Sequence, residues 1–374
     1  MRVAVVNQHP SDVIGGSELQ CDLVARGLVA RGHDVIYIAV GRDAAADAPD
    51  APYPLVPAVR EPAALARSVL ATRPDVVYWR FNRRGLREVA ATLRAVSVPL
   101  VVALAHVDDV NPWPSRPWPV RGSSLRDRGH DLRARLQHRR QLAAYRDVTA
   151  VASQRADLVG RVPHVAAALQ RHVPNIMDGG LADGPSFDHP RPYVAWVANL
   201  KPRKRPDLLP ALADALAPHG VDLVVAGPAQ DARYAWLTRP LPDHPNLHHV
   251  GALGTREVVA LVAGARCLAV TAMPEGFSNA MIQAWWAGTP TVTLDYDPDG
   301  LVAAERLGAV ADGDVAGFHA EVVRFATDDA AAREAGARAA RLARDRFGAE
   351  GVLDALERLL TDAVDTRPVS GRRG

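Results

Sequence analysis

Cysteine is almost missing from this chain of 374 residues, which carries only Cys21 and Cys267. The two fall in segments that read as different domains. A disulfide framework is therefore excluded, and with it a zinc site built on paired cysteines. The scarcity fits a reducing, cytosolic compartment. Long apolar runs are missing too. The longest clean one, Val98 to Ala105 with Pro99 inside it, is far short of the roughly 20 residues that span a bilayer. Met1-Arg2 leads straight into Val3-Ala4-Val5-Val6, too short for a signal-peptide core and without a small-residue cleavage site. A membrane, if met, is expected to be met from outside. Neither sign of charge dominates: 44 Lys plus Arg stand against 42 Asp plus Glu, a net of +2. Nothing in that balance calls for nucleic acid. Neither half carries the G-x-G-x-x-G fingerprint, which argues against a nicotinamide dehydrogenase. No aspartate pair stands out as a metal site.

What is present is an ordinary globular composition, 48% hydrophobic and 23% charged, in a length that predicts about two domains. Short β-branched runs alternate with helical stretches. Val3–Val6, Val35–Val40, Asp75–Tyr78 and Leu100–Leu104 are near-continuously apolar, as strands of a parallel sheet covered on both faces must be. The helix Ser17–Arg31 lies between the first two, closed by Gly32. The alternation restarts at Tyr193–Val197 and continues through Leu223–Ala226, Cys267–Thr271 and Thr291–Leu294. Two doubly wound α/β halves are expected. Turn formers between Pro174 and Pro192 mark the boundary. A final helix from Ala330 to Ala363 should break near Gly348.

Three clusters carry chemistry. The first loop ends Gly15-Gly16-Ser17-Glu18 at a strand-to-helix junction, where bare backbone N–H groups approach an anion or simply turn the chain. The second, Asn199-Leu-Lys201-Pro-Arg203-Lys204-Arg205, puts four cations in five positions. That pattern fits a grip on a diphosphate, and equally a solvated charge run. The third runs Pro274-Glu275-Gly276-Phe277-Ser278-Asn279 into a helix holding Gln283 and ending at Gly288. Ser278 or Asn279 caps that helix. Free N–H groups and the Glu275 carboxylate would face a ligand at the carboxyl end of a strand, where open α/β sheets bind; an acidic residue there is also good capping.

In this order and spacing, the three clusters resemble the retaining glycosyltransferases of family four, which have the GT-B fold. The resemblance runs from Gly15-Gly16-Ser-Glu to the terminal helix and is most specific from Tyr193 to Pro290. It implies two Rossmann-like doubly wound domains with a cleft between them. Residues 1–180 would form the acceptor side and 190–345 the nucleotide-sugar side. A helix over 346–364 would pack back on the first domain, and 366–374 would be a disordered tail. It implies transfer of a sugar from a nucleoside-diphosphate sugar to a hydroxyl acceptor, without metal or cofactor.

The family pattern also implies roles. Gly15 and Gly16 would lend backbone N–H groups to the donor phosphate, and Lys204 would hold the diphosphate. The family's arginine five positions earlier is Asn199 here, with Arg203 or Lys201 as its substitute. Glu275 would bind hydroxyls of the transferred sugar, aided by Gly276 and by backbone donors of Phe277, Ser278 and Asn279. The family's second glutamate is Gln283 in this chain. His106, at the end of Leu100–Ala105, takes the place of a histidine near the reaction centre, with Asp108 and Asp109 to orient it or the acceptor; taken alone, a histidine at a strand end is more often structural. Val173-Pro174-Asn175 resembles the family's hinge-side motif, with Ile176 where glycine is usual. A nucleotide-sugar epimerase and a non-catalytic nucleotide-sugar-binding protein are the alternatives.

One segment departs from the average. Arg116 to Arg146 holds nine arginines against Asp127 and Asp131, a local net of +7, with Trp113 and Trp118 at or near its front. It fits peripheral binding to anionic lipid at the inner face of the membrane, and equally a solvated arginine-rich helix.

Overall fold

The computed structural model describes residues 1–13, 15–44, 50–83, 85–112, 125–181, 186–274 and 276–366. Glu275, the tail 367–374, and the front of the arginine-rich segment with both of its tryptophans lie outside the described residues. The chain divides into two compact units. Among the described residues, unit 1 joins those before Met177 to those from Ala349 onward, and unit 2 takes those from Met177 to Gly348.

Unit 1 is built on a seven-stranded sheet. Its strands are β1 (Arg2–Asn7), β2 (Asp34–Val40), β3 (Leu55–Ala58), β4 (Val76–Trp79), β5 (Leu100–Leu104), β6 (Ala150–Ser153) and β7 (Gln170–His172). All pairs are parallel, in the order β3-β2-β1-β4-β5-β6-β7. Val3 of β1 pairs with Val35 on one side and Val76 on the other. Val3 to Val6 are fully buried, which is why that stretch shows no polar alternation. The chain winds outward from β1 to β3, then resumes at β4 on β1's other side. The gap above β1 and β4 is thus a topological switch point, where such sheets open a binding crevice. Helices α1 (Gly16–Ala30), α2 (Pro62–Ala71), α3 (Leu86–Ala95) and α4 (Leu125–Leu142) belong to this unit.

Unit 2 repeats the design with six parallel strands. These are β8 (Tyr193–Val197), β9 (Asp222–Ala226), β10 (Leu247–His249), β11 (Leu268–Val270), β12 (Thr291–Thr293) and β13 (Gly308–Val310). Their order, β10-β9-β8-β11-β12-β13, puts the switch point between β8 and β11. The helices are α5 (Leu209–Leu216), α6 (Thr255–Gly264), α7 (Asn279–Trp286), α8 (Leu301–Ala304), α9 (Val315–Thr327) and α10 (Asp329–Phe347). Gly288 stops α7 at a φ of +80°, a left-handed conformation costly for any residue with a Cβ. Gly336 of α10 packs against that stop so closely that a Cβ there would lie 1.9 Å from the Gly288 carbonyl oxygen.

The last helix, α11 (Ala349–Asp365), follows a break at Gly348 and packs in unit 1. Its buried face is Val352, Leu353, Leu356, Leu359 and Leu360. Arg31 Nη1 bonds Asp354 Oδ1 at 2.5 Å and Glu357 Oε2 at 2.9 Å. These pairs are part-exposed and contribute about 1 kcal/mol or less each. Each buried leucine contributes about 1.5–3 kcal/mol, so the apolar face holds the helix. Both cysteines are buried and free, their thiols pushed up to about 12 by burial. Among the described residues, no helix is long and apolar enough to cross a membrane.

Candidate active site

Unit 2 gathers most of the expected residues at its switch point. The loop after β8 carries Asn199, Lys201, Arg203 and Lys204, all half-buried. The loop after β11 lies against it. Met273 N donates to Arg203 O at 2.9 Å, and Arg203 Nη2 donates to Pro274 O at 2.6 Å. Thr271 Oγ1 donates to Lys204 O at 2.5 Å and accepts from Trp196 Nε1 at 2.9 Å. Arg205 turns left-handed at φ +49° and pairs with Asp295 at 3.3 Å. Four neighbouring cations are therefore held in one shaped loop.

The third cluster continues from there. Gly276 is half-buried in the loop, and Ser278 takes the N-cap of α7 without a side-chain capping bond. Asn279 opens the helix. The Phe277 ring is turned into the core, with ring centroids 6.0 Å from Trp285 and 5.1 Å from Phe347. Gln283 is 6% exposed on the same helix. Glu275 lies outside the described residues.

Unit 1 has its own cavity of about 650 Å³, lined from the ends of β1, β4 and β5 and from α4. His106 is at its wall. The Asp108 backbone N–H donates to His106 Nδ1 at 3.0 Å. Nδ1 is thus an acceptor, so the neutral ring carries its proton on Nε2. Asp109 Oδ2 accepts from the backbone N–H groups of Ala105 and His106, both at 2.7 Å. Arg83 in turn pairs with Asp109 Oδ1 at 3.2 Å. Asp108 and Asp109 hold the histidine's loop, one through its backbone and the other through its carboxylate.

The paired glycines sit beside the same cavity. Gly15 is the N-cap of α1 and Gly16 its first residue. Asn7 Nδ2 bonds Ser17 Oγ at 3.0 Å, fixing this helix start to the end of β1. Glu18 folds back over it: a Cβ on Gly15 would lie 2.2 Å from Glu18 Oε2. Burial raises the Glu18 pKa, while its own backbone N–H and Arg80 oppose the rise. A phosphate approaching this helix start meets that carboxylate unless Glu18 turns away.

Two further residues escaped the sequence reading. Arg80, 8% exposed at the end of β4, donates through Nη2 to Asn175 Oδ1 at 2.8 Å. Asn175 belongs to the hinge-side motif, so this bond gives that motif a partner inside unit 1. Arg83 is the second. Both lie in Arg80-Phe-Asn-Arg83, directly after a strand beside the switch point; that position was the available signal.

Residues 191–328 match the family model described as glycosyl transferases group 1. Among solved structures, sucrose-phosphate synthase from Thermosynechococcus elongatus aligns with a TM-score of 0.77 at 17% identity, covering 97% of this chain and 98% of that one. Anabaena HepE in complex with UDP and glucose aligns at 0.71 and 18% identity, over 97% of this chain and 100% of its own. OtsA aligns at 0.69 and 12% identity, over 96% and 99%. No protein of curated function matches in sequence. The likenesses span both units and establish the fold, and the family match falls on the unit that carries the cationic loop and α7. Residues 191–328 are thus similar to the glycosyl transferases of group 1, and the fold is the GT-B fold of these solved structures.

Proposed function

We propose that the protein moves a glycosyl group from a nucleoside-diphosphate sugar to a hydroxyl acceptor, with retention at the anomeric carbon. The observation that carries this is the cationic loop fastened to residues 271–274 at the switch point of unit 2. As the glycosidic bond breaks, negative charge grows on the departing diphosphate. A preorganised ammonium stabilises that charge without reorganising at the moment of reaction. Lys204 is assigned this task. Arg203 donates to Pro274 O, so it shapes the loop as well as adding charge, beside Asn199. The backbone of Gly276, Phe277, Ser278 and Asn279 is assigned to the sugar hydroxyls together with Glu275, and Gln283 to the ribose. Binding of UDP-glucose by HepE supports a nucleotide-sugar donor.

In unit 1, Gly15 and Gly16 are assigned to the donor phosphate and His106 to the reaction centre. With Nδ1 occupied by the Asp108 N–H, His106 offers Nε2–H as a donor to a sugar or acceptor oxygen. In the retaining route the acceptor attacks from the leaving-group face, and the departing phosphate oxygen takes its proton. No side-chain base is then needed, and side-chain cations take the place of a metal at the diphosphate.

For the acceptor we assign a lipid-linked hydroxyl met at an anionic surface. Leu132 and Leu136 lie one helical turn apart on α4, 58% and 49% exposed, and share a surface groove with Arg133 and Arg140. Apolar side chains flanked by arginines are what a peripheral helix presents to anionic headgroups.

A donor panel tests the reading. Uridine, guanosine, adenosine and thymidine diphosphate sugars would be incubated with and without membrane-extract acceptors. Nucleoside diphosphate release that depends on acceptor, with an α-linked product from an α-linked donor, is expected. Isomerised donor without release would point to an epimerase, and donor binding without turnover to a binding protein. Either result would overturn the proposal.

A further inference from the structure

The amino-terminal edge of unit 2's sheet, opposite the donor loops, carries a second cluster. Asp222 is the first residue of β9 and is 1% exposed. His248 lies on neighbouring β10, and His189 on the segment that leads into β8. Three nitrogens converge on one oxygen, Asp222 Oδ2: His189 Nε2 at 2.8 Å, Arg191 Nε at 3.1 Å and His248 Nε2 at 3.3 Å. Arg191 also bonds Oδ1 through Nη2. One carboxylate oxygen does not serve all three. His248 Nε2 is the one left over, buried and without a hydrogen-bond partner. An unsatisfied buried nitrogen is costly, and here it faces a carboxylate oxygen that already accepts from two donors.

We propose that His189 Nε2, Asp222 Oδ2 and His248 Nε2 together bind one zinc ion, with water completing the shell. The three ligand atoms lie within 4.8 Å of one another. Ligands of a tetrahedral zinc with bonds of about 2.0–2.1 Å are roughly 3.3 Å apart. Entry of the ion therefore asks His189 to withdraw by about half an ångström, and His248 Nε2 gains the partner it lacks. Two imidazoles and a carboxylate suit zinc, whereas magnesium and calcium prefer an all-oxygen shell. Arg191, with its side chain 49% exposed, keeps Oδ1 and orients the carboxylate. The ion would clamp the entry segment of unit 2 to β9 and β10. Its role is structural and independent of sugar transfer.

The test uses untagged full-length protein, stripped with chelator and titrated with Zn²⁺ against a chromophoric competitor. One Zn²⁺ per chain with a Kd below ~1 µM is expected, with a higher thermal midpoint in zinc. Co²⁺ should develop visible absorption of tetrahedral type. In His248→Ala, Asp222 keeps His189 and Arg191, so the metal-free protein should fold as before. Its zinc affinity should nevertheless fall at least ~30-fold, with loss of the cobalt spectrum. A wild-type protein that binds no zinc, or a His189→Ala/His248→Ala double variant that binds it equally well, would overturn the assignment. Because the readouts are metal content and spectrum, failure here leaves the glycosyltransferase reading untouched.

Discussion

The Thr271 hydroxyl donates to the Lys204 carbonyl at 2.5 Å while accepting from Trp196 Nε1 at 2.9 Å. A buried indole on β8 thereby fixes, through one hydroxyl at the end of β11, the backbone of the lysine assigned to the diphosphate. Thr271→Val leaves an indole N–H and a carbonyl without that partner, at about 1–3 kcal/mol. It should lower stability by that order and kcat/KM by about tenfold, as Lys204 loses its support. Thr271→Ser should restore both. Lys204→Ala should cost at least ~100-fold in kcat/KM, about 2.7 kcal/mol, with unchanged stability. A loss under threefold would make Lys204 a bystander.

Glu18 gives a pH signature in unit 1. Its folded pKa is raised, chiefly by burial, so the folded state holds the proton more tightly than the unfolded chain does. The stability it contributes is fully present below the ordinary carboxylate range and lost as pH rises through the folded value. Glu18→Gln should therefore be more stable than the parent near pH 7, and the gap should close toward pH 4. Denaturant midpoints at the two pH values measure it. A gap that widens on acidification would show that the carboxylate stabilises its helix start as an anion.

Transfer should persist in excess chelator, because side-chain cations meet the charge of the diphosphate. Chelation that strips zinc from the His189, Asp222 and His248 cluster should lower the thermal midpoint without lowering turnover of folded enzyme. Activity regained only with Mg²⁺ or Mn²⁺ would show that the diphosphate needs a metal.

The α4 face makes a separate prediction. The protein should float with vesicles containing anionic lipid and not with neutral ones, and the binding should weaken with salt. Leu132→Ser/Leu136→Ser should reduce flotation while leaving transfer to a soluble acceptor intact. Equal behaviour on neutral and anionic vesicles would reduce α4 to a solvated helix.

Legibility of the fold followed burial. The runs behind β1, β2, β8 and β9 are buried on both faces, so their apolar character is continuous and visible. The sequence reading passed over β3, β6, β7, β10 and β13, each of three or four residues at or next to a sheet edge. Polar residues stand in two of these short strands: Gln170 is buried with its amide bonded to the Val162 and Val165 backbone, and His248 is half-buried, where an apolar pattern would need valine. The two loops assigned to the donor were visible in the sequence because each is one contiguous stretch. The wall around His106 was not, since Arg80, Arg83 and α4 meet there only through the order of the strands. Glu18 was visible as a letter, but its turn back over Gly15 depends on the geometry of the helix start.

Gln283 should set donor choice. It lies 6% exposed on α7, where the resemblance places a glutamate that accepts from both ribose hydroxyls. Charge-assisted bonds are roughly twice as strong as neutral ones, so an amide should hold a ribose diol less tightly than a carboxylate would. It should also be penalised less when a hydroxyl is missing, because an unpaired buried charge costs more than an unpaired neutral group. This enzyme should therefore accept thymidine diphosphate sugars better than Gln283→Glu does. The variant should stay active and shift the uridine-to-thymidine ratio of kcat/KM toward uridine by about tenfold, or ~1.4 kcal/mol. Without donor its buried carboxylate is uncompensated, so its thermal midpoint should fall and recover more with a uridine donor than with a thymidine one. An unchanged ratio with no donor-dependent recovery would mean that position 283 does not meet the ribose.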